Sequence, residues 1–331
     1  MPRSSFELRP PAPYSLERTA ARLARLPNQT DRYQAGNYRR LLFVAGRPLL
    51  VSVAQIAPPS RPRLRIQLEG EGARRAQSRE AARLHLERSL GVATRVQPFY
   101  RALAGDPVLG EAIRRFRGLR VQGPPNAWEA LVGTVLSQQV NLVFAYSILR
   151  ELVEAFGRRA RIAGETWFAF PQPERIARAS ETRLRSFRLS SAKATTLLRL
   201  ARAFRAGDLS DAELRTLSDE EVVERLVEIK GIGRWTAETT LMRGLGRPDA
   251  FPAGDLGVVK YLAQGLLGRA QPASEQTMRR LSEGWRPHRA LALTYAYALL
   301  AARKASEATP PARRAETRSE KPLRANPRSG A

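Results

Sequence analysis

Apolar residues alternate with polar ones only near the start of this chain; farther on they recur every three or four positions. Leu64, Ile66 and Leu68 alternate with Arg63, Arg65 and Gln67, which predicts a strand with one buried and one solvated face. Residues 38–44 and 49–53 read as two more strands, joined through Gly46 and Pro48. Ser15-Leu16-Glu17 opens a short amphipathic helix, and another spans residues 76–90 and stops at Gly91. Together these predict a small antiparallel α+β domain over residues 1–95.

From about Pro98 onward the pattern is helical almost throughout. Trp128, Leu131, Val132, Val135 and Leu136 share one face of a helix over residues 127–136, and a second helix over 142–156 is stopped by Gly157. The polar corner between them, Ser137-Gln138-Gln139-Val140-Asn141, has Asn141 as a cap and two long amides that can reach a duplex; an ordinary polar corner fits the segment equally well. Pro173, Ser180 and Ser190 or Ser191 start further short helices, and Gly207 ends them.

The densest signal runs from Leu226 to Ala237. Ser218 followed by Asp219, Glu220 and Glu221 fits a capping box, with acidic side chains at the positive end of a helix dipole. The helix continues to about Ile229, with Val222, Val223, Leu226 and Ile229 on one apolar face. Gly231 and Gly233 then stop it, because glycine accepts the left-handed backbone of a tight hairpin and leaves amides uncovered. A second helix starting near Arg234 aims its free N–H groups forward, where a phosphate oxygen suits them best. G-x-G alone also fits a plain turn; the whole run is what points to a phosphate grip.

Asp255 is the candidate for chemistry. It stands just ahead of the apolar set Leu256, Val258, Val259, Leu262 and Leu266, the position of a helix N-cap. A cap can also be a catalyst, since a helix N-terminus holds a carboxylate ionised and oriented. Asp249 lacks such a position and reads as a turn residue.

Composition narrows the partner and excludes several classes. The 56 Lys plus Arg against 31 Asp plus Glu give a net charge of +25, which favours nucleic acid or an anionic surface. Lysines occur only at 193, 230, 260, 304 and 321; so strong an arginine bias can also arise from GC-rich coding, but the charge remains. No run approaches the ~20 apolar residues of a membrane span, and the N-terminus has no signal-peptide core, so a cytoplasmic protein is expected, nucleoid-associated in a bacterium. With no cysteine and only His85 and His288, a disulfide, thiolate zinc site, iron–sulfur cluster or histidine triad is not expected. Both histidines read as surface or packing residues. Residues 304–331, rich in Pro, Arg, Glu, Ser and Ala, read as a basic disordered tail.

The chain resembles the helix-hairpin-helix superfamily of DNA glycosylases, and within it the 3-methyladenine DNA glycosylase II type. Four blocks carry the resemblance: Ala127-Trp128-Glu129-Ala130-Leu131-Val132 with Ser137-Gln138-Gln139-Val140; Gly231-Ile232-Gly233-Arg234-Trp235-Thr236-Ala237; Asp255-Leu256-Gly257-Val258-Val259-Lys260; and Trp285-Arg286-Pro287-His288-Arg289 leading to Tyr295 and Tyr297. It covers roughly residues 5–303 and is strongest from 98 on. It implies a mostly helical fold with an N-terminal α+β domain, in which two helical subdomains over residues 96–303 flank an active-site cleft.

The resemblance also implies roles. Asp255 matches the catalytic aspartate, which stabilises the positive charge that builds on the sugar as the base leaves, and orients water. An alkylated purine already carries positive charge and leaves readily, so discrimination rests on pocket shape and stacking. The target nucleotide is flipped from the duplex, and Gln139 matches the residue wedged into the vacated space. Trp235 and Tyr297 match pocket aromatics that attract a cationic base; Thr239 stands where the best-known alkylpurine relatives have an aromatic. DNA contacts fall on Lys230, Gly231, Ile232, Gly233, Arg234 and Thr236. Relatives that cut the backbone carry a lysine nucleophile where this chain has Trp235. A monofunctional enzyme that leaves an abasic site is therefore expected, acting as a monomer on double-stranded DNA containing damaged bases. No organic cofactor is expected; the hairpin carbonyls of Val227, Ile229 and Ile232 are candidate ligands for a monovalent cation. Two alternatives stay open: a non-catalytic DNA-binding protein, and a glycosylase for deaminated bases such as hypoxanthine or uracil.

Overall fold

A five-stranded antiparallel sheet backs onto a helical body in the computed structural model, which describes residues 2–26, 28 and 30–308. The chain begins with β1 (Arg3–Leu8) and α1 (Leu16–Arg25), continues through β2 (Asp31–Gln34), β3 (Asn37–Val44), β4 (Arg47–Gln55) and β5 (Leu64–Glu69), and turns into α2 (Ala76–Leu90). The spatial order is β1-β5-β4-β3-β2. Alternation does what the pattern predicts: Leu64, Ile66 and Leu68 join Val51 and Val53 on one face, packed on Leu16, Ala20 and Leu23 of α1 and Leu86 and Leu90 of α2. Ser15 caps α1, and Gly91 ends α2 in the left-handed region. Two strands escape the sequence pattern. β1 pairs with β5, Phe6 opposite Ile66, and β2 pairs with β3, so both are edge strands defined by their partners. Pro48 lies within β4 opposite Phe43, and the turn falls on Ala45 and Gly46.

The helical body runs through α3 (Gln97–Leu103), α4 (Leu109–Arg115), α5 (Ala127–Ser137) and α6 (Leu142–Phe156). A hairpin of β6 (Arg159–Ile162) and β7 (Glu165–Phe168) interrupts it, contrary to the nearly all-helical expectation. Trp167 and Ile162 pack there on Leu41 and Leu50, covering part of the sheet's outer face. Next come α7 (Pro173–Ala177), α8 (Glu181–Arg185), α9 (Ser191–Ala206), α10 (Asp211–Thr216), α11 (Asp219–Val227) and α12 (Arg234–Arg243). A π-helical turn, Gly257–Leu262, feeds α13 (Ala263–Gly265), followed by α14 (Glu275–Ser282) and α15 (Arg289–Ala308). Trp285 sits in a 3-10 turn ahead of α15, buried, with its indole N–H on Asp106 Oδ2 at 3.1 Å. Asp249 is more than a turn residue, because Arg286 and Arg289 both bond its carboxylate. α15 runs beyond the expected boundary at 303, and residues 309–331, assigned above to a disordered tail, lie outside the described residues. No helix among the described residues is long and apolar enough to cross a membrane.

One buried polar network joins sheet to helices. Arg40 on β3 bonds Asp31 at 2.9 Å and reaches Glu129 on α5, and Tyr38 donates its only proton to Asp31. The Tyr38 oxygen must then accept from His85 Nε2, 2.7 Å away, so that nitrogen carries the imidazole proton. His85, expected only as a surface or packing residue, is a buried member of this network. Burial first, and then the charge of Arg40, push its pKa down to about 3, against the opposing pull of Asp31. The folded pKa lies below the unfolded value of about 6.5, so the unfolded chain takes up the proton first. This contribution is complete above pH 6.5 and is lost as pH falls toward 3. Urea unfolding should show His85 alone removing about 2 kcal/mol between pH 6.5 and 5. His85→Gln should flatten that limb; an unchanged slope would exclude His85 as its source.

Candidate active site

The hairpin forms for the reasons its sequence gives. Ser218 accepts the Glu221 amide while the Glu221 carboxylate accepts the Ser218 amide, a complete capping box at the start of α11. Gly231 has φ +102°, and a methyl group there would sit 2.0 Å from Thr196 Oγ1 on α9, so conformation and packing both require glycine. Gly233 differs from the expectation: its φ is −99°, and it acts as the extended N-cap of α12. It supplies no side-chain acceptor and leaves the amides of the first turn available.

The candidate DNA-contacting residues divide by how they are exposed. Lys230 is exposed, as is Gln139, which adopts a left-handed conformation with φ +55° in the corner between α5 and α6. Ile232 and Thr236 have buried side chains, so only their backbone is available for contact. The Arg234 guanidinium is committed elsewhere: it bonds both oxygens of Glu220 at 3.1 Å and Glu238 at 2.9 Å. Arg279 on α14 shares Glu238 and also bonds Glu275, a network that ties the hairpin to α14. Gln138 is likewise engaged. Its amide donates to Gly231 O at 3.1 Å and Thr236 Oγ1 at 3.2 Å, which fixes the Gln139 corner against the hairpin. Asn141 caps α6 as predicted, accepting the Phe144 amide at 2.8 Å.

Asp255 sits beside this assembly and gathers three donors. Trp235 Nε1 donates to Oδ2 at 2.9 Å, while Tyr297 Oη and the Gly257 amide donate to Oδ1 at 2.7 and 2.8 Å. The bond from Gly257 is the helix-capping contact anticipated from the sequence, although the helix beyond is π-wound, a form common at functional sites. Burial first, then the adjacent Asp255 charge, raise the Tyr297 pKa far above that of a free phenol, so Tyr297 stays protonated and remains a donor. All three donors are neutral. Among the described residues no cation pairs with Asp255, so its oxygens are not neutralised by a side chain and face a positive centre placed before them.

Trp235 and Tyr297, expected as pocket aromatics, fix the carboxylate's orientation through these hydrogen bonds. Thr239, one turn beyond Trp235 on α12, has an enclosed hydroxyl with no hydrogen-bond partner. Sequence reasoning missed Gly257 as a site residue. A methyl there would lie 2.6 Å from Tyr297 Oη and 2.7 Å from Asp255 Oδ1, so only hydrogen fits between the two. Its presence two residues after Asp255 was the available signal. Among the described residues no group of three or more His, Asp or Glu side chains is placed to hold a metal.

Comparison with known proteins gives a consistent picture. The model of the HhH-GPD superfamily, base excision DNA repair proteins, matches residues 132–287. The chain is 36% identical over 203 residues to the DNA-3-methyladenine glycosylase of Bacillus subtilis, an alignment covering 61% of this chain and 67% of that one. It is 31% identical over 179 residues to DNA-3-methyladenine glycosylase 2 of Escherichia coli, covering 54% of this chain and 59% of that protein. Among solved structures it is similar to the 3-methyladenine DNA-glycosylase of Archaeoglobus fulgidus, with TM-score 0.78 and 27% identity over 89% of this chain and 98% of that one.

Proposed function

We propose that this chain, which belongs to the HhH-GPD superfamily of base excision DNA repair proteins, is a monofunctional DNA glycosylase that removes alkylated bases from double-stranded DNA and leaves an abasic site. The observation that carries the reading is the Asp255 carboxyl group held by three neutral donors beside the hairpin. In this reading the hairpin amides hold a phosphate, Gln139 fills the space left by the flipped nucleotide, and Lys230 adds charge to the backbone contact. As the C1′–N bond breaks, its electron pair leaves with the base, and the carboxylate stabilises the positive sugar until water adds. Trp235 supports hydrolysis without strand cutting, since indole offers no amine for a Schiff base. The carbonyls of Val227, Ile229 and Ile232 belong to the same proposal as a seat for a monovalent cation; Ile229 O accepts the Ile232 amide at 2.9 Å and keeps one lone pair.

The test is a panel of duplexes bearing 7-methylguanine, ethenoadenine, hypoxanthine or uracil, together with methylated DNA as a source of 3-methyladenine. The purified protein, acting as a monomer, should release alkylated bases and leave strands that break only on alkali treatment. A borohydride-trapped covalent complex would contradict the monofunctional reading, and no release from any substrate would favour a DNA-binding protein without catalysis.

A further inference from the structure

Arginine and lysine divide the work in this chain. Arginines enter carboxylate networks, as Arg234 does with Glu220 and Arg289 with Asp249; among the described residues no lysine does. Lys193 bonds the Leu136 carbonyl at 2.9 Å, and Lys230 is exposed on the hairpin. The other two meet at one ring. Lys304 on α15 places its ammonium nitrogen 4.1 Å from the centroid of the Tyr261 ring, and that of Lys260 lies 5.7 Å from it. Beside them Tyr261 is 41% and Leu256 62% exposed. No acidic residue stands between Asp255 and Glu275, and Glu307, one turn past Lys304, does not pair with it. Two like charges that converge without a carboxylate repel each other, and an anion relieves them.

We infer that the exposed patch formed by Lys260, Tyr261 and Lys304 is a second contact for the DNA backbone, on the flank of the flipped nucleotide opposite the hairpin. The inference rests on the reading of DNA as the substrate above. The side follows from the carboxylate. Trp235, at the start of the helix after the hairpin, holds Asp255 Oδ2, whereas Gly257 of the π-helical turn and Tyr297 of α15 hold Oδ1. The patch belongs to these last two elements. Its turn is rooted on Asp255 itself, whose carbonyl accepts the Val258 and Val259 amides at 2.8 and 2.9 Å. Tyr297 and Lys304 stand seven residues apart on α15, two turns along one face, which separates them by about 10 Å. A strand advances about 3.4 Å per nucleotide, so the patch falls about three nucleotides from the flipped one. An exposed ring and leucine beside two ammonium groups suit a sugar-phosphate backbone: deoxyribose packs on the carbon surface while the phosphates take the charge.

The experiment measures binding of the full chain to duplexes of constant length that carry a tetrahydrofuran abasic analogue, by fluorescence anisotropy across a salt series. Each lost phosphate contact lowers the salt slope by about 1, so between about 50 and 200 mM salt the wild type should lose about 10-fold more affinity than the double variant Lys260→Met, Lys304→Met. The double variant Lys260→Arg, Lys304→Arg keeps both charges and should keep the wild-type slope, which separates lost charge from damage to the fold. Moving the analogue to about two base pairs from an end tests the flank. The difference between wild type and the methionine variant should vanish with one end and persist with the other, and Lys230→Met should show the reverse dependence. An unchanged slope in the methionine variant would overturn the proposal. So would a loss that is the same wherever the analogue stands, which marks the diffuse field of a basic protein. Binding is read without base release, so either failure leaves the glycosylase reading standing; a chain that shows the flank dependence but releases no base keeps this contact and loses that reading.

Discussion

Asp255→Asn is expected to lower base release by about 1000-fold while leaving affinity for abasic duplex intact or higher. The magnitude follows from charge: a carboxylate about 4 Å from a developing cation, at an effective dielectric of about 20, contributes about 4 kcal/mol. The change is nearly isosteric, yet it does not leave every contact in place. Gly257 N–H and Tyr297 Oη both donate to Oδ1, so the asparagine must put its oxygen there. Its amide nitrogen then faces Trp235 Nε1, donor against donor. A modest fall in melting temperature should accompany the variant, and its circular dichroism spectrum should confirm that the fold is kept. Binding to an abasic duplex, measured by fluorescence anisotropy, separates chemistry from recognition. Base release at the wild-type rate would remove Asp255 from catalysis.

The largest loss of stability is expected at Arg40. Arg40→Met leaves Asp31 and Glu129 buried without their shared cation, and breaking one partner of such a pair costs roughly 3–5 kcal/mol. The two acids are not equivalent. Despite burial, Arg40, His85 and Tyr38 hold the Asp31 carboxyl below its usual range, whereas burial outweighs Arg40 at Glu129 and raises it. Glu129 is therefore the group that takes up a proton when Arg40 is removed. Adding Glu129→Gln to Arg40→Met should return part of the loss, because a neutral amide is cheaper to bury than an unpaired charge. A double-mutant cycle by urea denaturation checks this; a loss under about 1 kcal/mol for Arg40→Met would mean the pair contributes little.

Local rules carried the sequence a long way. The caps at Ser15, Asn141, Ser180, Ser190 and Ser218 and the stop at Gly91 stand where their side chains or φ values require, because capping is settled within four residues. Asp255 was legible for the same reason, being both the start of an apolar helical pattern and part of a recognisable block. The failures were non-local. β1 and β2 are strands by virtue of partners elsewhere in the chain, and β6–β7 is fixed by Trp167 lying on Leu41 and Leu50. Arg234 looked like a phosphate ligand beside its glycines, but Glu220 and Glu238 occupy it, and Glu220 is fourteen positions away.

The sequence by itself determined the elements and the chemical types: a capped hairpin with glycines, an aspartate at a helix start, and an indole where an amine would be needed for strand cutting. Periodicity and capping act over one or two turns, so they are written in consecutive residues. Only the tertiary structure decided that Trp235, Gly257 and Tyr297 converge on one carboxylate, and that Gln138 locks the Gln139 corner to the hairpin. Orientation of a charge depends on donors drawn from three separate segments, and their directions are set by how α12, the π-helical turn and α15 pack together.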